Sequence, residues 1–245
     1  MEPKASATLA KLTCPDARRA LARPRLFDAL DAACKRRIVW VEGPPGAGKT
    51  VLLSSYLNAR KLGKLWYQLD AGDGDIATFF HYLGVAAQKA APRHRKPLPA
   101  FSLEYLPGLP IFTRRYVEAL GARLKPPFVM VLDNYEQVPS EAPLHQVLGE
   151  AVAALPPGMT LLVLSRIAPP STWARMRLHG ELERIDARAL ALTLPEARAL
   201  ATHASETPIA PERIALLHAQ TQGWLAGLLL LLAQKDKGRD APVTD

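Results

Sequence analysis

The chain has 245 residues, 49% of them hydrophobic and 22% charged, and its 31 Lys and Arg against 23 Asp and Glu give a formal net charge of +8. This is ordinary globular material, long enough for one large domain or one and a half. The longest apolar run, Trp224 to Ala233, is well short of the roughly 20 residues a membrane span needs, no secretory signal opens the chain, and Cys14 and Cys34 have no partners at metal-ligand spacing. A membrane-spanning helix, a zinc site and a disulfide framework are therefore not indicated, and a cytoplasmic protein is expected.

In chain order, residues 1 to 20 show no firm periodicity and are expected to be loosely held. Arg23-Pro24-Arg25-Leu26-Phe27 leads into a short amphipathic helix with Leu30, Ala33 and Cys34. Ile38-Val39-Trp40-Val41 reads as a buried strand, and Val51 to Tyr56 and Leu57 as a helix. Between them lies Gly43-Pro44-Pro45-Gly46-Ala47-Gly48-Lys49-Thr50, which matches G-x-x-x-x-G-K-[ST] in the strand-loop-helix context that the motif requires. Glycines allow successive N–H groups to turn inward around phosphate oxygens at a helix N-terminus. Lys49 is expected to reach the β- and γ-phosphates, and Thr50 to offer its hydroxyl to Mg²⁺.

Leu65 to Leu69 reads as a second strand. The acidic stretch Asp70 to Asp75 lacks EF-hand spacing, so Asp75 is expected to cap a helix holding Ile76, Phe79, Phe80 and Leu83. A proline-rich, basic connection follows from Ala91 to Pro110, then a helix from Ile111 to Leu124. Phe128 to Leu132 is a continuous apolar run ending in Asp133, the place for a Walker-B carboxylate that holds Mg²⁺.

After a helix over 144–155, Thr160 to Leu164 is a fourth strand ending in Ser165-Arg166. An arginine on that sheet edge points toward a γ-phosphate. Glu183-Arg184-Ile185 is a short fifth strand, and the capping box Thr193-Leu194-Pro195-Glu196 opens helices over 194–204, 211–220 and 223–234. The apolar face of 224–232 is expected to be core, with an exposed partner surface as the alternative. The expected architecture is a three-layer α/β P-loop domain over 21–189 with a mostly parallel five-stranded sheet, a helical subdomain over 190–235 and a polar tail over 236–245. The basic clusters, among them Arg93-His94-Arg95-Lys96, lack any recognition-helix pattern, so direct nucleic-acid binding is not expected.

The order of Arg23-Pro24-Arg25-Leu26, the phosphate loop, Trp66-Tyr67-Gln68-Leu69-Asp70, Val131-Leu132-Asp133-Asn134-Tyr135, Leu164-Ser165-Arg166 and Gly223-Trp224-Leu225-Ala226 resembles the N-terminal ATPase module of MalT-like regulators. These are the large ATP-binding LuxR-type transcription factors, within the signal-transduction ATPases with numerous domains. The resemblance implies an ATP/ADP switch with Mg²⁺, self-association in the ATP form, and an inducer acting through domains that lie outside this chain. It assigns catalytic roles to Lys49, Asp133, Glu136 and Arg166, and nucleotide contacts to Arg25, Leu26, Gly43 to Thr50 and Val51, with Thr50 and Asp133 on the metal. One departure stands out. The family commonly carries a second acidic residue where this chain has Asn134, whose amide cannot accept a proton from water. Glu136 is the candidate substitute. The alternatives are a nucleotide-bound scaffold that hydrolyses little or nothing, or a small-molecule kinase with Arg93 to Lys96 as its only lid candidate.

Overall fold

Five short runs rich in Val, Leu and Ile pair edge to edge into a single sheet. The structure, a computed structural model, describes residues 10–18, 20–205 and 207–236. Its strands are β1 (Ile38–Glu42), β2 (Gly63–Gln68), β3 (Phe128–Asp133), β4 (Met159–Ser165) and β5 (Leu182–Ile185). They lie in the order β2-β3-β4-β1-β5, and every pairing is parallel.

Parallel neighbours need crossovers, and helices supply them. The crossover helices are α2 (Lys49–Ala59), α3 (Ile76–Ala90), α4 (Leu109–Arg123), α5 (Leu144–Ala153) and the short α6 (Ala174–Leu178), while α1 (Pro24–Ala33) precedes β1 and the short α7 (Ala187–Leu190) follows β5. Alternate residues along each strand serve opposite faces. Trp40, Tyr67, Leu132 and Val163 pack with Phe79, Phe80, Tyr116 and Leu148, whereas Val41, Val131, Leu162 and Leu164 pack with Leu26, Leu30, Leu53 and Leu57. With both faces covered, every residue of β3 and β4 is buried, which is why these strands read as unbroken apolar runs.

Two segments depart from expectation. The proline-rich connection contains a 3-10 turn at Leu103–Gly108, and α4 starts at Leu109 because Pro110 is tolerated in a first helical turn. At the N-terminus, residues 1–9 and 19 lie outside the described residues, and within 10–18 side chains contact the α/β domain. Lys11 Nζ sits 2.7 Å from carboxylate oxygens of both Asp70 and Asp73, and Leu12 is buried. Asp73 is itself fully buried and also accepts from the Tyr67 hydroxyl. A carboxylate taken out of water needs a cation, and a single lysine shows no periodicity that would announce it. The acidic stretch is thus structural, with Asp75 capping α3 through the Thr78 N–H at 2.8 Å.

The last helices, α8 (Leu194–Ala204), α9 (Pro211–Thr221) and α10 (Leu225–Asp236), close on their own core of Leu192, Leu200, Leu217 and Leu228. Residues 237–245, the expected polar tail beyond Asp236, lie outside the described residues. The helix expected from 223 begins at Leu225 because Gln222 and Gly223 both take positive φ, 50° and 75°. A Cβ on Gly223 would stand 2.6 Å from the Leu192 carbonyl oxygen, so no other residue fits that turn unstrained.

The subdomain is tied to the α/β domain by Glu196. Beyond its capping-box bond to the Thr193 N–H, its carboxylate accepts from buried Arg23 at 3.0 Å and from Arg25 at 3.2 Å. Burial opposes ionisation of Glu196, but the bonds from Arg23, the Thr193 N–H and Arg25 together outweigh it and hold its pKa down at about 2. A depressed carboxylate adds stability above its unfolded value of about 4.3 and loses it as pH falls toward the folded value. Urea denaturation of Glu196→Gln is therefore expected to show a loss of about 2 kcal/mol at neutral pH, because Arg23 is left buried without a counter-charge. The wild-type advantage should shrink between about pH 4.5 and pH 2, the window that those two pKa values bracket. A variant as stable as wild type at pH 7 would remove this tie from the account.

Candidate nucleotide-binding site

At the C-terminal edge of β1 the chain leaves the sheet through Gly43 and re-enters as α2 at Lys49. Gly46 and Gly48 take φ of 74° and 81°, a region that side chains with a Cβ rarely occupy. These turns aim the loop at the first turn of α2, where backbone N–H groups have no helical acceptor and the helix dipole favours an anion. Lys49 folds back over the loop, with Nζ donating to the Gly43 carbonyl at 2.6 Å and to that of Pro44 at 3.2 Å. Burial pushes the Lys49 pKa down, as does Arg166 nearby, while Glu136 and Asp133 pull it up.

Neighbouring strand ends bring the other expected residues to the same place. The Thr50 hydroxyl donates to Asp133 at 3.0 Å across 83 residues of sequence, so the two expected metal ligands are side by side. Asp133 is buried, and that burial raises its pKa against the bonds from Thr50 and the Asn134 N–H. Two hard oxygen donors on a helix start and a strand end suit Mg²⁺, an ion that draws its remaining ligands from phosphate and water. Among the described residues no cluster of three or more His, Cys, Asp or Glu offers an all-protein metal cage.

Asn134 has φ 59° and ψ 40°, left-handed geometry that Asn tolerates better than most residues. It turns the chain into the short helical turn Tyr135–Gln137, and that turn returns Glu136 to the site. Tyr135 anchors it from below, edge-on to Trp40 and bonded to His145 Nδ1 at 2.6 Å. Glu136 itself is largely buried. Its carboxylate takes Arg166 Nε at 2.8 Å and the Arg166 backbone N–H at 3.1 Å. Lys49, Asp133, Glu136 and Arg166 are thus gathered at one sheet edge.

Arg25 and Leu26 are placed differently. The Leu26 side chain is fully buried beneath the sheet, and Arg25 donates to the carbonyls of Ala189 at 2.9 Å and Ala191 at 3.1 Å. Arg25 therefore stands at the junction with the helical subdomain, whereas Leu26 belongs to the α/β core. Val51 is half exposed on α2.

Sequence reasoning missed the contact made by that subdomain. Trp224 Nε1 donates to the Pro45 carbonyl at 2.9 Å, and the Ala226 N–H donates to the Gly46 carbonyl at 3.1 Å. A Cβ at Gly46 would fall 2.4 Å from the Ala226 methyl. Beside this contact, a cleft of about 390 Å³ runs between the loop (Pro44, Ala47), the junction (Leu190, Ala191) and the subdomain (Thr221, Leu225). The Gly-Trp pair was the only signal in the sequence. Leu228 and Leu232 join the core as expected for the apolar helix, whereas Trp224 and Leu230 are exposed. The Arg93 to Lys96 segment lies over α3 and α4, where the Lys96 carbonyl accepts from Arg123, and does not cover the loop.

A parallel sheet that presents this loop, the Thr50–Asp133 pair and a strand-end arginine at one edge defines a P-loop ATPase fold. The Walker-type ATPase of Pyrococcus abyssi superposes with a TM-score of 0.59 at 12% identity, covering 91% of this chain and 70% of that one. Cdc6p from Pyrobaculum aerophilum superposes with a TM-score of 0.52 at 15% identity, covering 95% and 66%. Identities that low speak for the fold alone. No protein-family model matches. In sequence, 212 residues, 85% of the chain, are 31% identical to the HTH-type transcriptional regulator MalT of Cronobacter sakazakii and 30% identical to that of Klebsiella pneumoniae. The chain is thus similar to the ATPase module of MalT-like regulators, and it spans 23% of the length of those relatives. Among the described residues no helix is long and apolar enough to cross a membrane.

Proposed function

We propose that this chain is an adenine-nucleotide switch module of a transcription regulator, in which slow Mg²⁺-dependent ATP hydrolysis resets an active, self-associating ATP form. The observation that carries this reading is the pair of hydrogen bonds that Trp224 Nε1 and the Ala226 N–H donate to the loop carbonyls of Pro45 and Gly46. A loop that also cradles phosphates cannot change shape without moving the helical subdomain. Nucleotide state and subdomain position are then one equilibrium, shifted by whichever nucleotide binds the two arrangements unequally.

Each residue has a part. Loop N–H groups and Lys49 hold the phosphates, and Thr50 with Asp133 would hold Mg²⁺, which neutralises phosphate charge. The apolar cleft beside Ala47, Leu190 and Leu225 suits a purine, with Arg25 fixing its wall through the Ala189 and Ala191 carbonyls. Arg166 would exchange Glu136 for a γ-phosphate, and the released Glu136 carboxylate would orient and deprotonate water. The inducer would act through domains beyond this segment.

Three of the four tryptophans are buried, so acrylamide quenching of tryptophan emission reports chiefly on Trp224, which is 42% exposed. Quenching is expected to differ between protein loaded with Mg²⁺-ADP and protein loaded with a non-hydrolysable ATP analogue. Identical quenching would mean that the subdomain does not read the nucleotide. In the same preparation loaded with Mg²⁺-ATP and freed of excess, retained nucleotide should convert to ADP over hours. Persistent ATP would favour a non-hydrolysing scaffold.

A further inference from the structure

Arg123, in the last turn of α4, is one of two buried arginines among the described residues, and only the other has a counter-ion. Arg23 pairs with Glu196, whereas Arg123 is 8% exposed and, among the described residues, has no carboxylate within ion-pair distance, donates only to the Lys96 carbonyl, and leaves its Nε without an acceptor. The carbonyl and the α4 C-terminus offer partial charges, and a guanidinium removed from water needs a full one. Arg123 lines a cleft of about 580 Å³ between α3, α4 and the proline-rich segment. Its walls include Phe80, Val85, Phe101 and Tyr116, its other basic side chains are His81, His94 and Arg95, and no Asp or Glu lines it. That volume is ordinary for a small-molecule site, and the lining joins apolar side chains to polar ones and a buried cation, the kinds of group that such sites combine. No residue of the phosphate loop takes part.

We infer that this cleft is a second ligand site, for a small organic anion with an aromatic or branched apolar body whose charged end pairs with Arg123. The anion supplies the charge that the protein withholds. Its body replaces water against Phe80 and Phe101, which stack at 5.6 Å between ring centroids. The site is independent of the nucleotide reading.

Titration calorimetry of the whole chain with 1-naphthoate tests it, with 1-naphthalenemethanol as the neutral analogue. Naphthoate is expected to bind at least about tenfold more tightly than the alcohol, the factor for one charge-assisted pair in a partly buried site. Arg123→Met should cost at least about tenfold in naphthoate affinity while melting no lower than wild type, since an apolar side chain in place of an unpaired buried charge is usually tolerated. Ala100→Trp, at an exposed position on the rim, should fill the cleft and abolish binding without touching the core. Lys49→Ala should leave binding intact. Equal affinity for the two compounds, no heat with naphthoate at millimolar concentration, undiminished binding in Ala100→Trp, or loss of binding in Lys49→Ala would each overturn the inference.

Discussion

Replacing Lys49 by alanine is expected to weaken ATP binding by about two orders of magnitude, the equivalent of one or two charge-assisted bonds to phosphate. The fold should be little affected. Among the described residues Nζ donates only to the carbonyls of Gly43 and Pro44, neighbours on its own loop that water can satisfy in its place. Burial already disfavours the Lys49 charge, so a phosphate beside it would restore what burial removes. Because deprotonation cancels the charge, ATP affinity should fall on the alkaline side at a pH below that of an ordinary lysine. Equilibrium binding of a fluorescent ATP analogue, with circular dichroism to confirm folding, gives both numbers. An affinity within a few-fold of wild type would show that the loop does not bind phosphate as assigned.

Glu136→Gln is expected to lower single-turnover hydrolysis by at least about a hundredfold, the usual contribution of a general base, with ATP affinity within a few-fold of wild type. The neighbouring substitution sets the contrast. Asn134→Asp should change the hydrolysis rate by only a few-fold, because Asn134 serves the left-handed turn and its N–H bonds Asp133 at 2.9 Å. On this view the carboxylate that the family's second acidic position would supply comes from two residues further along. Hydrolysis by Glu136→Gln at the wild-type rate, or a large gain in Asn134→Asp, would return the role to position 134 and leave Glu136 as the partner of Arg166 alone. Loss of the Glu136–Arg166 pair should cost little stability, since the Arg166 side chain is half exposed.

The β-branched and aromatic run Ile38 to Val41, the unbroken apolar runs that end at Asp133 and Ser165, and the glycine spacing from 43 to 48 were enough to place an α/β sheet and its phosphate loop. Such signals are local: a strand buried on both faces must be apolar throughout, and a loop around phosphate needs glycine where φ is positive. Pairing of Thr50 with Asp133 was also legible, because the motif and the strand end each name their residue. The direction of Glu136 was not. It depends on Asn134 adopting left-handed geometry after β3, one soft torsion that sequence leaves open. Equally hidden were Lys11 on Asp73, Arg23 and Arg25 on Glu196, unpaired Arg123, and Trp224 on Pro45. Each joins, or fails to join, residues tens to hundreds of positions apart, and side chains that meet across such distances carry no periodicity. The sequence by itself determined the sheet, the loop and the types of group at the strand ends. Only the tertiary structure decided which carboxylate faces Arg166 and that the helical subdomain rests on the phosphate loop, because those outcomes depend on how separately readable elements dock.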